Sequence, residues 1–216
     1  MLEIQQIKAN TLDENCYILS DETKEAVIVD CGTFSEKDEQ KITDYVRTKE
    51  LRIVHHICTH MHYDHCAGAN FIWKTFNKAP EYNKADEAIY HGLGMNFFGF
   101  SEQEIAKLTF PKAQHYLNEG ETIVFGSVSL KVIQTPGHTP GGVCFYCEKE
   151  KVLFSGDTLF YNSVGRTDLA GGDTALLIQN IKTKIFTLPN DTIVYPGHGP
   201  KTTIGFEKEY NPYVII

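Results

Sequence analysis

Thr59-His60-Met61-His62-Tyr63-Asp64-His65 places three imidazoles and one carboxylate within six residues. The segment follows a strand-like apolar run at 52–58 and precedes a stretch, 67–76, whose spacing predicts a helix. In a loop at a strand end, His60 and His62 can converge on one cation while Asp64 and His65 turn toward a neighbouring one. Imidazole and carboxylate suit zinc, iron and manganese, with zinc the usual choice for hydrolysis without redox chemistry. A solvated loop would carry such residues only incidentally, and these ligand types rarely cluster so densely without a metal.

Working outward, three more ligand types stand in similar surroundings. His138 lies in Thr135-Pro136-Gly137-His138-Thr139-Pro140-Gly141-Gly142, directly after a strand pattern. Asp157 ends the run 152–155 and is preceded by Gly156. His198 lies in Tyr195-Pro196-Gly197-His198-Gly199-Pro200, again after a strand. Gly and Pro fix turns and let backbone pass close to a site. A lone His after a strand would be a surface residue; two with the same Pro-Gly lead-in are not independent accidents.

The rest of the chain is ordinary for a folded domain. It has 216 residues, 42% hydrophobic and 12% aromatic, which excludes disorder and is ample for a sizeable core. No apolar run approaches the length of a membrane span, and the N-terminus carries no export signal, so a cytoplasmic location is expected. The net charge of −8 argues against a nucleic-acid partner. Cys16, Cys31, Cys58, Cys66, Cys144 and Cys147 are expected to be reduced. Cys144 and Cys147 form a CxxC, but in an alternating strand positions i and i+3 face opposite sides, which disfavours a redox or zinc pair. Strands are predicted at 2–8, 15–20, 26–29, 52–58, 121–125, 128–134, 143–147, 152–154 and 192–195. Helices are predicted at 35–49, opening on Ser35 and Asp38, and at 174–184. The stretch 84–107 is ambiguous and partly helical. Asp30 and Asp157 each end a strand that leads to a helix, a strand and a His-bearing loop, which fits two related half-folds. Strands with interspersed helices suggest two packed sheets with helices outside.

On these motifs the sequence resembles the metallo-β-lactamase superfamily, through ordered residues from Asp30 to His198. The resemblance implies an α+β, four-layer αββα sandwich with the site at one edge. It implies two metal positions: His60, His62 and His138 at the first, Asp64, His65 and His198 at the second, and Asp157 bridging. Asp30 resembles the family's acid that orients the His loop, beside Thr59, though it also reads as a strand-end turn former. An Asp at the bridging position, with Ser155-Gly156-Asp157-Thr158-Leu159-Phe160 and Gly165-Arg166-Thr167-Asp168-Leu169, is similar to glyoxalase II and its short bacterial relatives. The chain ends 18 residues after His198, without the helical C-terminal domain of full-length glyoxalase II. One hydrolase domain over 1–216 is therefore expected.

Two cations about 3.5–4 Å apart can share one water and lower its pKa from about 15.7 toward 7. Hydrolysis of a thioester such as S-lactoylglutathione is the leading expectation, with two divalent ions as cofactors and Asp64 and Asp157 as the catalytic carboxylates through their metal contacts. A small anionic thioester is the expected partner, because the bound ions make the cleft locally positive. Arg166 reads either as an anion-binding guanidinium or as a salt-bridge partner of Asp168. Tyr161 and Asn162 are placed in the same cleft. The segment 80–114, with Phe97 and Phe98, reads as an apolar lid with Gly hinges or as an extra core helix. Other readings on the same scaffold are a persulfide dioxygenase holding one iron through His60, His138 and Asp157, a lactonase or phosphodiesterase, and a binding protein that retains the site.

Overall fold

The computed structural model describes residues 1–95, 99–105 and 109–214. The first sheet runs β1 (Glu3–Ala9), β2 (Glu14–Ser20), β3 (Glu25–Val29), β4 (Arg52–Ile57), β5 (Glu81–Tyr82) and β6 (His115–Tyr116), in that spatial order. β1 to β3 pair antiparallel and β3 to β6 parallel. The second sheet contains β7 (Thr122–Phe125), β8 (Val128–Gln134), β9 (Val143–Cys147), β10 (Val152–Gly156), β13 (Ile193–Pro196) and β14 (Thr202–Thr203), in the order 14-13-10-9-8-7. A small hairpin, β11 (Leu159–Phe160) and β12 (Ser163–Val164), stands apart.

The sheets pack face to face. Tyr17, Leu19, Val27, Val29 and Ile57 of the first meet Phe125, Leu130, Val132, Phe145 and Phe154 of the second in one buried layer. Alternate residues of the same strands point outward. Ile18, Ala26 and Ile28 pack under Ile42 and Val46 of α1 (Glu36–Thr48) and Ile72 of α3 (Ala69–Phe76). Cys144, Tyr146, Leu153 and Val194 pack under Leu177 and Ile181 of α6 (Thr174–Thr183) and Ile204 of α7 (Ile204–Tyr210). This is the expected αββα sandwich. Because both faces are covered, β2, β9 and β10 are buried along their whole length. The CxxC splits as its spacing predicts: Cys144 lies in the outer layer and Cys147 in the inner one.

Local chemistry sets the ends of the elements. The Ser35 hydroxyl accepts from the Asp38 amide and caps α1. Gly126-Ser127 closes the β7–β8 hairpin, with Phe125 opposite Val128. The helix predicted from 67 begins earlier and breaks: α2 (Tyr63–Cys66) carries the end of the His-rich motif, and Gly68 separates it from α3. The 80–114 segment opens on β5 and is followed by β6, both strands of the first sheet. Between these strands Ile89 and Tyr90 of α4 (Glu87–Tyr90) are buried, and a further short helix is α5 (Glu102–Ile105). Phe97 and Phe98 lie outside the described residues. No helix among the described residues is long and apolar enough to cross a membrane.

The two half-folds are real. β3, α1 and β4 form a parallel unit, as do β10, α6 and β13. Each first strand ends on a left-handed residue, Asp30 at φ 55° and Gly156 at φ 49°. Each second strand delivers a His loop to the same edge of the sandwich.

Candidate metal centre

Every candidate ligand follows the C-terminal end of a strand: Asp30 after β3, His60 after β4, His138 after β8, Asp157 after β10 and His198 after β13. Four groups with donor atoms within 4.8 Å of one another form among the described residues: His60 with His62 and His138, His60 with His65 and Asp157, Asp64 with His65 and His198, and, behind His65, Glu14 with Asp30 and His65. The Asp157 carboxylate lies between the first and the third. Its Oδ1 is 3.3 Å from His65 Nε2, and its Oδ2 is 3.5 Å from His138 Nε2 and 3.8 Å from His198 Nε2. Asp64 Oδ2 is 3.3 Å from His198 Nε2.

The ring orientations show which nitrogens face inward. His60 Nδ1 is 3.1 Å from the Thr59 hydroxyl, His65 Nδ1 3.1 Å from Asp30 Oδ2, His138 Nδ1 2.6 Å from the Arg166 carbonyl, and His198 Nδ1 3.1 Å from the Leu12 carbonyl. Each Nδ1 is held by an oxygen on the outer side, so each Nε2 faces the centre. His62 is turned the other way, with Nδ1 2.9 Å from His138 Nε2. His60 Nε2 and Asp157 Oδ1 are buried and have no hydrogen-bond partner. Such orphaned donor atoms are costly in a polypeptide alone and fit cation ligands. The residues present therefore fit a divalent-metal site.

The electrostatics agree. Burial, reinforced by the neighbouring rings, holds His60 well below the ordinary imidazole range and His62 at about 3, so both are neutral and ready to ligate. Burial would also lower His65, but the Asp157 and Asp64 carboxylates outweigh it and raise the imidazole well above its usual value. Burial opposes ionisation of Asp157 too, and there His65 and His138 prevail, holding the carboxyl well down. Without metal, His65 keeps its proton at neutral pH. Metal uptake near pH 7 is expected to expel about one proton per chain, so apparent affinity rises with pH. Calorimetric titration in buffers of different ionisation enthalpy measures this directly; a proton count of zero would contradict it.

Asp30 carries the buttress. Its Oδ1 accepts from the Thr59 amide at 2.7 Å, and its Oδ2 from the Thr59 hydroxyl at 2.8 Å and from His65. It is also the positive-φ turn at the end of β3, so both sequence readings hold. Two glycines are required by close approach: a Cβ on Gly197 would strike Asp157 Oδ1 and His65, and one on Gly156 would strike the Thr59 side chain.

Several residues were not singled out from sequence. Asp86 is fully buried and ties two ligand loops together. Its Oδ2 accepts from the Met61 amide at 3.1 Å and the Thr139 hydroxyl at 2.8 Å, and its Oδ1 from the Gly141 amide at 2.6 Å. It sits in the ambiguous stretch after 84, where nothing local marks it. Asn15 Nδ2 donates to the Pro196 and Gly199 carbonyls, both at 3.0 Å, and the Tyr17 hydroxyl to Pro196 at 2.7 Å, which fixes the His198 loop. The only signal was a polar pair, Glu14-Asn15, opening an otherwise apolar strand. Asp86→Ala is expected to cost about 3 kcal/mol, because buried donors lose their acceptor. A urea midpoint within error of wild type would contradict that assignment.

The centre opens into a cleft of about 520 Å³ bordered by Leu12, Phe160, Val164, Arg166 and Leu169 as well as by the ligands. The placement of Tyr161 and Asn162 in it needs correcting. They form the β11–β12 turn; Tyr161 stacks on Phe206 at 5.1 Å, and the Asn162 amide donates to Glu207 at 3.1 Å. The cleft is bordered instead by their neighbours Phe160 and Val164. Arg166 does border the cleft, with its guanidinium bidentate on Asp168 at 2.7 Å for both bonds. Two of the other four histidines are structural: His55 is 2.8 Å from Glu81, and burial holds His56 at about 3, while His91 and His115 lie half exposed beside Glu87 and Glu121.

A buried His and Asp cluster at the strand ends of an αββα sandwich defines a metal-dependent hydrolase. The chain belongs to the metallo-beta-lactamase superfamily, whose sequence pattern matches residues 9–198. It is 32% identical to hydroxyacylglutathione hydrolase GloC of Haemophilus influenzae over 99% of this chain and 98% of that one. It is 32% identical to the probable metallo-hydrolase YqgX of Bacillus subtilis over 81% and 82%. Among solved structures, BLEG-1 B3 metallo-beta-lactamase superposes with a TM-score of 0.88 at 36% identity, over 98% of this chain and 99% of that one. TTHA1623 in a di-iron-bound form gives 0.81 at 32%, over 97% and 99%.

Proposed function

We propose that the protein is a glyoxalase II-like thioesterase that hydrolyses acyl thioesters, with S-lactoylglutathione as the reference substrate. The carrying observation is the pair of ligand groups sharing one edge with Asp157 between them. His60 Nε2, His62 Nδ1 and His138 Nε2 would hold one cation; Asp64, His65 Nε2 and His198 Nε2 would hold a second; Asp157 would touch both. Zinc suits the donor set, and iron or manganese fits the same ligands. When bound, such a pair supplies a water of lowered pKa and an electrophile for the carbonyl oxygen. Asp30 orients His65 through its Nδ1–H, and the Arg166 and Leu12 carbonyls orient His138 and His198. The cleft directs the thioester carbonyl to the ligands. Water adds to that carbonyl, the C–S bond breaks, and the thiol leaves with a proton. The hydroxyacylglutathione hydrolase relative at 32% identity supports thioester chemistry. A complete second ligand group, Asp64, His65 and His198, favours this reading over a one-iron dioxygenase. Six buried free thiols suit the reducing cytoplasm.

The test is turnover of S-lactoylglutathione by zinc- and iron-loaded protein, with oxygen uptake on glutathione persulfide measured in parallel. Thiol release without oxygen uptake is expected. Oxygen uptake by a one-iron form, with no thioester cleavage, would overturn the proposal.

A further inference from the structure

The walls of the cleft differ in kind from its floor. The floor is the ligand cluster. The walls are Leu12, Phe160, Val164 and Leu169, with Arg166 at the border. Leu12 is 47% exposed, Phe160 and Leu169 are only partly buried, and Val164, also partly buried, packs on the outer core layer while bordering the cleft. Leu169 also borders a second recess with Leu93, itself 51% exposed, beside His62, so the apolar surface continues past the ligands. Apolar groups left facing a cleft beside reactive chemistry mark what the cleft receives.

The charges point the same way. Among the described residues bordering the cleft, Arg166 is the only cation besides the imidazoles, and its fork is already closed on Asp168. That pair sums to zero. A carboxylate laid along these walls would lose water and meet a cation already neutralised by Asp168, which is unfavourable. A hydrocarbon chain would lose only water that is better released.

We propose that the acyl group taken by this site is an uncharged, apolar chain of several carbons, held along Leu12, Phe160, Val164 and Leu169 with its carbonyl at the ligand cluster. This deepens the thioesterase reading and rests on it for the reaction. It replaces an anionic or hydroxylated acyl group with a hydrophobic one as the preferred substrate class.

The experiment has two arms. In the first, metal-loaded protein is given acetyl, lactoyl, butyryl and hexanoyl thioesters of one thiol. Each methylene covered by the wall is expected to raise kcat/KM about threefold to fourfold, so hexanoyl exceeds acetyl and lactoyl by more than tenfold. Phe160→Ala and Leu169→Asp flatten that series. In the second arm, binding of hexanoate, lactate and acetate is measured by calorimetry on the same metal-loaded protein. Hexanoate is expected to bind at least tenfold tighter, and Leu169→Asp to remove the difference. Equal binding of the three acids, or lactoyl turnover matching hexanoyl, overturns the apolar wall. Absence of turnover on every thioester, with hexanoate still preferred in binding, overturns the reaction and leaves the wall standing.

Discussion

Asp157→Ala is expected to lower kcat/KM for thioester hydrolysis by about 10³-fold or more and to reduce metal content below that of wild type. The magnitude follows from removing a ligand that faces both groups: charge stabilisation by a bound ion is worth several kcal/mol, and about 4 kcal/mol is a thousandfold in rate. The fold is expected to survive, because the carboxylate's contacts are to the imidazoles of the same cluster and it braces no strand. Circular dichroism and metal analysis on the same preparation separate the two effects. Wild-type turnover in a fully folded Asp157→Ala protein would remove the carboxylate from the site.

The second large effect is at Asp30. Asp30→Ala deletes the acceptor for the Thr59 amide, the Thr59 hydroxyl and the His65 imidazole, all buried. Breaking a buried charged contact from one side costs about 3–5 kcal/mol, which urea denaturation of the metal-free protein measures. Loss of an orienting partner also weakens metal binding by about 10–100-fold. Asp30→Asn separates the roles. Asparagine tolerates the left-handed backbone at φ 55° and still accepts from the Thr59 amide, so stability largely returns. Its amide cannot accept from His65 Nδ1, so metal affinity stays low. Equal affinity in Asp30→Asn and wild type would reduce Asp30 to a turn former.

Much of this was legible in the sequence because the decisive residues sit in local patterns. The His-rich loop, the two Pro-Gly-His turns and the Gly-Asp after a strand each announce a strand end with ligand chemistry. The repeat of strand, helix, strand and His loop fitted two related half-folds with ligands at strand ends, and the structure builds each as a parallel unit. Alternation over 142–148 separated Cys144 from Cys147, and they lie in different layers. What stayed hidden depends on contacts far apart in the chain. Asp86 reaches Met61 and Gly141 across 25 and 55 residues, and nothing around it signals a bracket. β5, β6 and β14 have two residues each, too short for any periodicity. Tyr161 and Asn162 form a two-residue turn held by Phe206 and Glu207, some 45 residues away, which no local pattern announces.

The histidine count illustrates the gain. Of nine histidines in an acidic chain, His60, His62, His65, His138 and His198 converge on one edge, and the other four do not. Four of the five are pinned through Nδ1 by an oxygen, so their inward nitrogens are set by the fold before any ion arrives.

The most direct test is metal stoichiometry. Purified protein is dialysed to equilibrium against excess zinc, freed of loose ions and measured by mass spectrometric elemental analysis beside its protein concentration. A binuclear centre predicts two equivalents per chain, falling in His198→Ala to one. A single equivalent in wild type, unchanged in His198→Ala, would contradict it.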